Sequence, residues 1–146
     1  MKTIVLVLFS SIQLSSPGWL TDFDIATKTA TEKHQLILLN FSGSDWCGPC
    51  IRLRKEIFEN NIFIHFADSN LVLINADFPR NKKNRLSDDQ TKQNDAIADK
   101  YNPEGKFPYT ILLNANGKIV KEWDGFPNET PAGFIAEIKS VCDANK

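Results

Sequence analysis

The chain has 146 residues, 42% of them hydrophobic and 24% charged, which is the composition of one globular domain with a substantial apolar core. A second domain of ordinary size would not fit into this length. The formal net charge of −1 argues against a nucleic-acid or anionic-membrane partner.

The first 18 residues have the layout of a secretory signal. Met1 and Lys2 form a short positive region, and the apolar run TIVLVLFSSIQL and the small residues SSPGW follow. The run is too short to span a membrane comfortably, and its position favours export over the alternative, a buried first strand. We therefore expect a cleaved signal peptide at 1–18 and a domain at 19–146. The mature protein would be periplasmic, with secretion as the alternative.

The apolar pattern of the domain predicts alternating helices and strands. Apolar residues at helical spacing indicate amphipathic helices, and continuous branched apolar runs indicate strands buried on both faces. The predicted elements of the first half are a helix from Trp19 to about His34, a strand at Leu36–Leu39, a helix at Ile51–Phe58 interrupted at Asn60 and Asn61, a helical or irregular stretch at 62–68, and a strand at 70–78.

The second half predicts a hairpin between two helices. Asn116-Gly117 tolerates the positive φ that a tight hairpin turn requires. The predicted elements are a polar loop at 80–90, a helix at 91–102, a hairpin of strands Tyr109–Leu113 and Lys118–Trp123, and a helix from the cap Thr130 to about Asp143. We expect the loop to be solvated, with contact between its basic residues and an acidic partner as the alternative. The order of helices and strands is that of an α/β domain.

The chain has three cysteines, two of which lie in the stretch NFSGSDWCGPC, and their number and spacing limit the chemistry possible there. A closed zinc site needs about four ligands, and only His34, His65 and Cys142 remain beside Cys47 and Cys50, all isolated, so we expect no metal. A static Cys47–Cys50 staple would stabilise little, because so short a ring removes little entropy from the unfolded chain. We expect Cys142 to pack on the apolar face of the last helix, with an intermolecular disulfide as the alternative.

The surroundings of the cysteine pair favour disulfide exchange. Cys47 stands where a helix begins, so unpaired backbone N–H groups and the helix dipole stabilise an accessible thiolate. Pro49 fits the first helical turn, and Gly48 leaves room for another chain to approach the sulfur. Cys50 is one turn further, shielded, and able to attack a mixed disulfide held on Cys47. We expect no cofactor other than this redox-active disulfide.

The pentapeptide WCGPC after a buried strand, with KFPYT entering a hairpin about sixty residues later, resembles the thioredoxin superfamily. The longer stretch FSGSDWCGPC is similar to exported bacterial members, and the similarity covers roughly residues 33–143. It implies a thioredoxin fold with a central mixed sheet of about four to five strands flanked by helices on both faces. It further implies that Cys47 attacks, that Cys50 resolves, and that the substrate is bound by Trp46, Gly48, Pro49, Phe107 and Pro108.

The resemblance also implies a cis bond between Phe107 and Pro108 that faces the cysteines, with the Phe107 backbone offering hydrogen bonds to an extended substrate. One feature departs from the family. Its members usually carry a buried Asp on the strand before the motif, which assists proton transfer, whereas Asn40 and Phe41 stand near that place here. The spacing is one residue longer, which suggests a bulge. Asp45 or a water could act as the base, although capping is the simpler role for Asp45.

Two inferences about electron flow point in opposite directions. The Gly-Pro dipeptide is associated with a reducing potential of about −270 mV, whereas export implies an oxidising environment. We expect a protein-disulfide reductase that is kept reduced by a membrane-bound or soluble electron donor and acts on disulfide-containing client proteins. The alternatives are an oxidase or isomerase of the same fold and a binding module. We expect no nucleic-acid partner and a monomer.

Overall fold

The computed structural model describes residues 18–145. The predicted signal peptide therefore lies, except for Gly18, outside the described residues. The helices are α1 (Phe23–Lys33), α2 (Gly48–Leu53), α3 (Asn61–Asn70), α4 (Asp88–Tyr101) and α5 (Pro131–Ala144). The strands are β1 (Leu36–Ser42), β2 (Leu71–Asp77), β3 (Tyr109–Leu113) and β4 (Ile119–Asp124). Within residues 18–145, no helix combines the length and apolar character needed to cross a membrane.

The strands form one mixed sheet in the order β2-β1-β3-β4. The central strand β1 pairs with β2 in parallel and with β3 in the antiparallel direction, and β4 pairs antiparallel with β3. Every residue of β1 is buried, which is why its sequence is a continuous apolar run rather than an alternating one. The predicted mixed sheet is confirmed, with four strands.

Helices cover both faces of the sheet, and the side chains of β1 alternate between them. Ile37 and Leu39 belong to the core beneath α1 and α4. Leu36 and Leu38 belong to the core beneath α2, α3 and α5. The alternation follows from the two-residue period of a strand. It also assigns each later residue of β1 to a face, so Asn40 lies on the same face as Leu38, toward α2.

The first helix begins later than the sequence pattern predicts. Asp22 accepts a hydrogen bond from Ile25 N at 2.9 Å and caps α1, so the helix begins at Phe23 rather than at Trp19. Leu20 instead runs beside β2, where its N–H donates to Leu73 O at 2.8 Å. The helical spacing of the apolar residues before Asp22 therefore did not indicate a helix, because a strand-like contact partly buries such residues as well as a helix does.

The segment after the cysteines is more helical than predicted. A π-helical turn at Arg54–Phe58 joins the end of α2 to a capped start of α3, and it buries Ile57 and Phe58 in the core. The stretch 62–68, which the sequence leaves helical or irregular, lies within α3. Asn60 accepts a hydrogen bond from Ile62 N at 3.1 Å, which confirms the predicted interruption at that point.

Two boundaries in the second half also differ from prediction. The helix α4 begins at Asp88 because Ser87 caps it, which shortens the predicted loop of 80–90. The connection between β3 and β4 is a longer loop than a two-residue turn, with Gly117 N donating to Asn114 O at 2.9 Å. Gly117 has a φ of 76°, so the glycine is the residue that provides the positive φ. The predicted last helix and its Thr130 cap are confirmed.

Candidate active site

Cys47 and Cys50 form a disulfide at the start of α2, with their Cα atoms 5.2 Å apart. Cys47 is the N-cap of this helix, and Cys50 N donates a hydrogen bond to Cys47 Sγ at 3.3 Å. Pro49 occupies the first turn, where its missing N–H costs no hydrogen bond. A sulfur that receives a backbone N–H in this position is stabilised as a thiolate once the disulfide is reduced.

The burial of the two cysteines differs from the sequence prediction. Cys47 is 5% exposed and Cys50 is 3% exposed, so the predicted contrast between an accessible and a shielded sulfur is not seen in this oxidised form. The bond between them places each sulfur against the other. Gly48 and Pro49 are exposed, and they are the part of the motif that another chain can reach directly.

Trp46 is held beside the disulfide by contacts on several sides. Its Nε1 donates to Phe78 O at 2.7 Å, and its ring packs edge-on against Phe107 with centroids 5.4 Å apart. A Cβ at Gly43 would lie only 2.6 Å from Trp46 Nε1, so the glycine leaves the space that the indole occupies. The pairing of β1 with β2 and β3 has no register shift, so the bulge that the spacing suggested is not seen in β1.

The Phe107–Pro108 peptide bond is cis, as the resemblance implies. Phe107 packs on Trp46, the neighbour of Cys47, and this contact brings the cis bond to the disulfide loop. Pro108 O accepts a hydrogen bond from Gly125 N at 2.9 Å. Within residues 18–145, neither the N–H nor the C=O of Phe107 hydrogen-bonds to another residue. Both groups can therefore pair with an extended peptide.

Asn40 belongs to a polar trio on the α2 face of the sheet, in which Asn40 and Thr110 are buried and Asn75 is half-buried. Its Nδ2 donates to Asn75 Oδ1 at 2.9 Å, and its Oδ1 accepts from Thr110 Oγ1 at 3.0 Å. All three members are neutral, so the trio supplies no carboxylate base. Sequence analysis missed Asn75 and Thr110, although a polar residue inside a buried apolar strand is a signal for such a network.

Asp45 fixes the backbone of the loop that follows β2. It accepts hydrogen bonds from Arg80 N and Asn81 N, both at 2.9 Å, and from Asn84 Nδ2 at 3.0 Å. The hydrogen bond from the Arg80 backbone, followed by those from Asn84 and Asn81, lowers the pKa of Asp45 from its ordinary value. Asp45 does not cap the active-site helix as predicted, because Cys47 occupies the N-cap and the Asp45 carboxylate is taken up by the loop after β2. A carboxylate that holds its charge this firmly is a weak base, and proton transfer by Asp45 stays a prediction.

We expect Asp45→Asn to loosen this loop, because an amide oxygen accepts these N–H groups less strongly than a carboxylate does. Amide hydrogen exchange at Arg80 and Asn81 measures the effect and should be faster in the variant. In the unmodified protein the protection is fully present above about pH 4 and is lost as pH falls through the lowered pKa of Asp45. Equal exchange rates in the two proteins at pH 7 would contradict this assignment.

The remaining candidates lie away from the disulfide. Cys142 is half-buried and packs against the core beneath α3 and α5, as predicted for a residue on the apolar face of the last helix. Among the described residues, no group of three or more His, Cys, Asp or Glu side chains is arranged to hold a metal ion. His34 ends α1 with a φ of 54°, and His65 lies in α3.

Comparison with known proteins places this geometry in a family. A model of the thioredoxin-like domain matches residues 23–141. Disulfide bond reductase DsbH of Chlamydia pneumoniae is 32% identical over 116 residues, which cover 80% of this chain and 68% of that protein. Thioredoxin-related protein DsbJ of the same organism is 30% identical over 87% of this chain but only 36% of its own length.

A solved structure described as a DsbH oxidoreductase shares the fold throughout. It superposes with a TM-score of 0.79 and 27% identity over 97% of this chain and 95% of that chain. The two chains therefore share the sheet and both helical layers that hold the cysteine pair here.

Proposed function

Because this chain belongs to the thioredoxin-like domain family, we propose that it reduces protein disulfides through Cys47 and Cys50. The chain is a thiol–disulfide oxidoreductase of the Dsb type, and reduction is the direction proposed. The observation that carries the proposal is the disulfide at the start of α2, beside Phe107, whose backbone N–H and C=O groups have no partner within residues 18–145. A static crosslink would need neither feature, whereas exchange with an extended client needs both.

The proposed reaction transfers two electrons to the client. The Cys47 thiolate attacks one sulfur of the client disulfide, which breaks that bond and releases one client thiolate. Cys50 then loses its proton and attacks Cys47 Sγ in the mixed disulfide. The Cys47–Cys50 bond forms, the second client thiolate leaves, and both client thiolates take up protons. A dithiol on an electron donor reduces the Cys47–Cys50 disulfide for the next cycle.

Two observations support the reducing direction. The residues between the cysteines are Gly48 and Pro49, the pair associated with thioredoxin-like potentials. A relative at 32% identity is named a disulfide bond reductase. We place the mature protein in the periplasm, acting as a monomer on disulfide-containing client proteins. A membrane-bound or soluble donor must recharge it there, because an oxidising compartment does not supply reduced thiols.

The reduction potential tests the direction. We expect equilibration with glutathione buffers to give a value of about −270 mV, the potential associated with a Gly-Pro dipeptide between the two cysteines. Alkylation of the two thiols, followed by mass measurement, reports the equilibrium. A Cys142→Ala variant provides the matched control, since it removes the third thiol. A potential above about −180 mV would instead assign an oxidase or isomerase.

A further inference from the structure

The loop that follows β2 is hydrogen-bonded to the segment that precedes Cys47. Each of the three residues 44–46 makes a hydrogen bond across to residues 77–84. The bonds join Ser44 to Asp77, Asp45 to Arg80, Asn81 and Asn84, and Trp46 to Phe78. The predicted solvated loop is confirmed in that its side chains are exposed, and these hydrogen bonds hold its backbone in addition. Its backbone keeps a fixed position relative to the disulfide.

Arg80 extends from this loop over the active-site tryptophan. Its guanidinium carbon lies 3.7 Å from the centre of the Trp46 ring, and its backbone N–H is held by Asp45 at 2.9 Å. Stacking and backbone anchoring together fix the cation in place before any ligand arrives. Within residues 18–145, the Arg80 side chain forms no ion pair and donates no hydrogen bond. Its fork of N–H donors is thus available to a ligand.

Two other cations near the disulfide have carboxylate partners. Arg52 in α2 pairs with Glu56 at 2.8 Å. Lys106, which precedes the cis bond, pairs with Glu104 at 3.1 Å and with Asp124 at 3.2 Å. Arg80 differs from both, because it is stacked on Trp46, the neighbour of Cys47, and no carboxylate within residues 18–145 pairs with it.

We propose that Arg80 selects client proteins that carry an Asp or Glu next to the reacting cysteine, an inference that rests on the proposed function. A client joined to Cys47 has its neighbouring residues beside Trp46, on which Arg80 is stacked. A guanidinium held flat presents two parallel N–H groups to a carboxylate, a geometry that a flexible lysine does not offer. The contact forms at the protein surface, so we expect it to favour an acidic client by about five- to tenfold rather than by orders of magnitude.

Three peptide disulfides test this selection. They are identical except for the residue after the cysteine, which is Glu, Gln or Lys. The reduced protein is mixed with each peptide, and the second-order rate constant of exchange is measured at low and high salt. We expect the Glu peptide to react about fivefold faster than the Gln peptide at low salt, and the ratio to approach one at high salt.

Two variants identify the residue responsible. Arg80→Gln should bring the Glu-to-Gln rate ratio close to one, whereas Lys83→Gln, which removes a charge from the same loop, should leave the ratio as it was. Circular dichroism and thermal unfolding confirm that both variants are folded. Equal rates with all three peptides, or a preference that survives Arg80→Gln, would overturn the inference alone. Failure to exchange with any peptide would overturn the proposed function and, with it, this inference.

Discussion

Replacing Cys50 with serine is expected to trap client proteins as covalent mixed disulfides on Cys47. The hydroxyl of serine cannot displace the client thiolate, so the first step of exchange proceeds and the second does not. We expect turnover of a peptide disulfide to fall at least about a hundredfold, because the protein is consumed after one attack. Non-reducing electrophoresis measures the trapped species as bands that disappear on reduction.

The matched control is Cys47→Ser, which removes the attacking sulfur and keeps Cys50. This variant should form no mixed disulfides and should have no measurable turnover, because Cys50 lies inside α2 and lacks the N-cap position that stabilises the Cys47 thiolate. Trapping by Cys47→Ser but not by Cys50→Ser would reverse the two roles. Failure of both variants to trap any client would favour a binding module whose disulfide stays closed. The paired variants therefore separate catalysis from binding.

Replacing Phe134 with alanine is expected to cause the largest loss of stability among the single changes considered. Phe134 is fully buried in α5, and its ring contacts Phe58, Phe63 and Trp123, with the closest centroid 4.8 Å away at Trp123. Removing it leaves a cavity bounded by three rings that cannot all collapse inward. We expect the free energy of unfolding to fall by about 4 kcal/mol. Urea denaturation of the oxidised protein measures this loss.

The control is Ile62→Ala in α3, a large apolar residue in the same helical layer that is 49% exposed. It should change the free energy of unfolding by less than about 1 kcal/mol. A loss below about 1 kcal/mol for Phe134→Ala would show that the aromatic cluster is loosely packed. Phe58 belongs to the π-helical turn that continues α2. The variant therefore also tests how tightly the C-terminal end of α2 is packed.

The motif and the order of the elements were accessible from the sequence because both depend on neighbouring residues. A helix that begins at Gly48 follows from Cys47 as cap and Pro49 in the first turn. The last helix follows in the same way from Thr130 and Pro131. The cis bond before Pro108 came from the resemblance alone, since most X-Pro bonds are trans.

Errors arose where a distant segment competed with a local pattern. The spacing of Trp19 and Leu20 fits a helix, but Leu20 hydrogen-bonds alongside β2, and its partners lie more than fifty positions away. The charges of loop 80–90 correctly predicted exposed side chains, but they did not indicate that Asp45 fixes the backbone at Arg80 and Asn81. Periodicity describes only which face a residue presents, and it does not identify the segment that covers that face.

The sequence by itself determined the chemistry, namely a cysteine pair at a helix start and an α/β domain to hold it. Only the tertiary structure decided the surroundings of that pair, including the neutral trio around Asn40 and the cation of Arg80 on Trp46. The reason is the parallel pairing of β1 with β2, which brings the carboxyl ends of both strands to one edge of the sheet. Residues 44–46 and 77–84 meet there. The local sequence of either segment does not indicate that the other lies beside it.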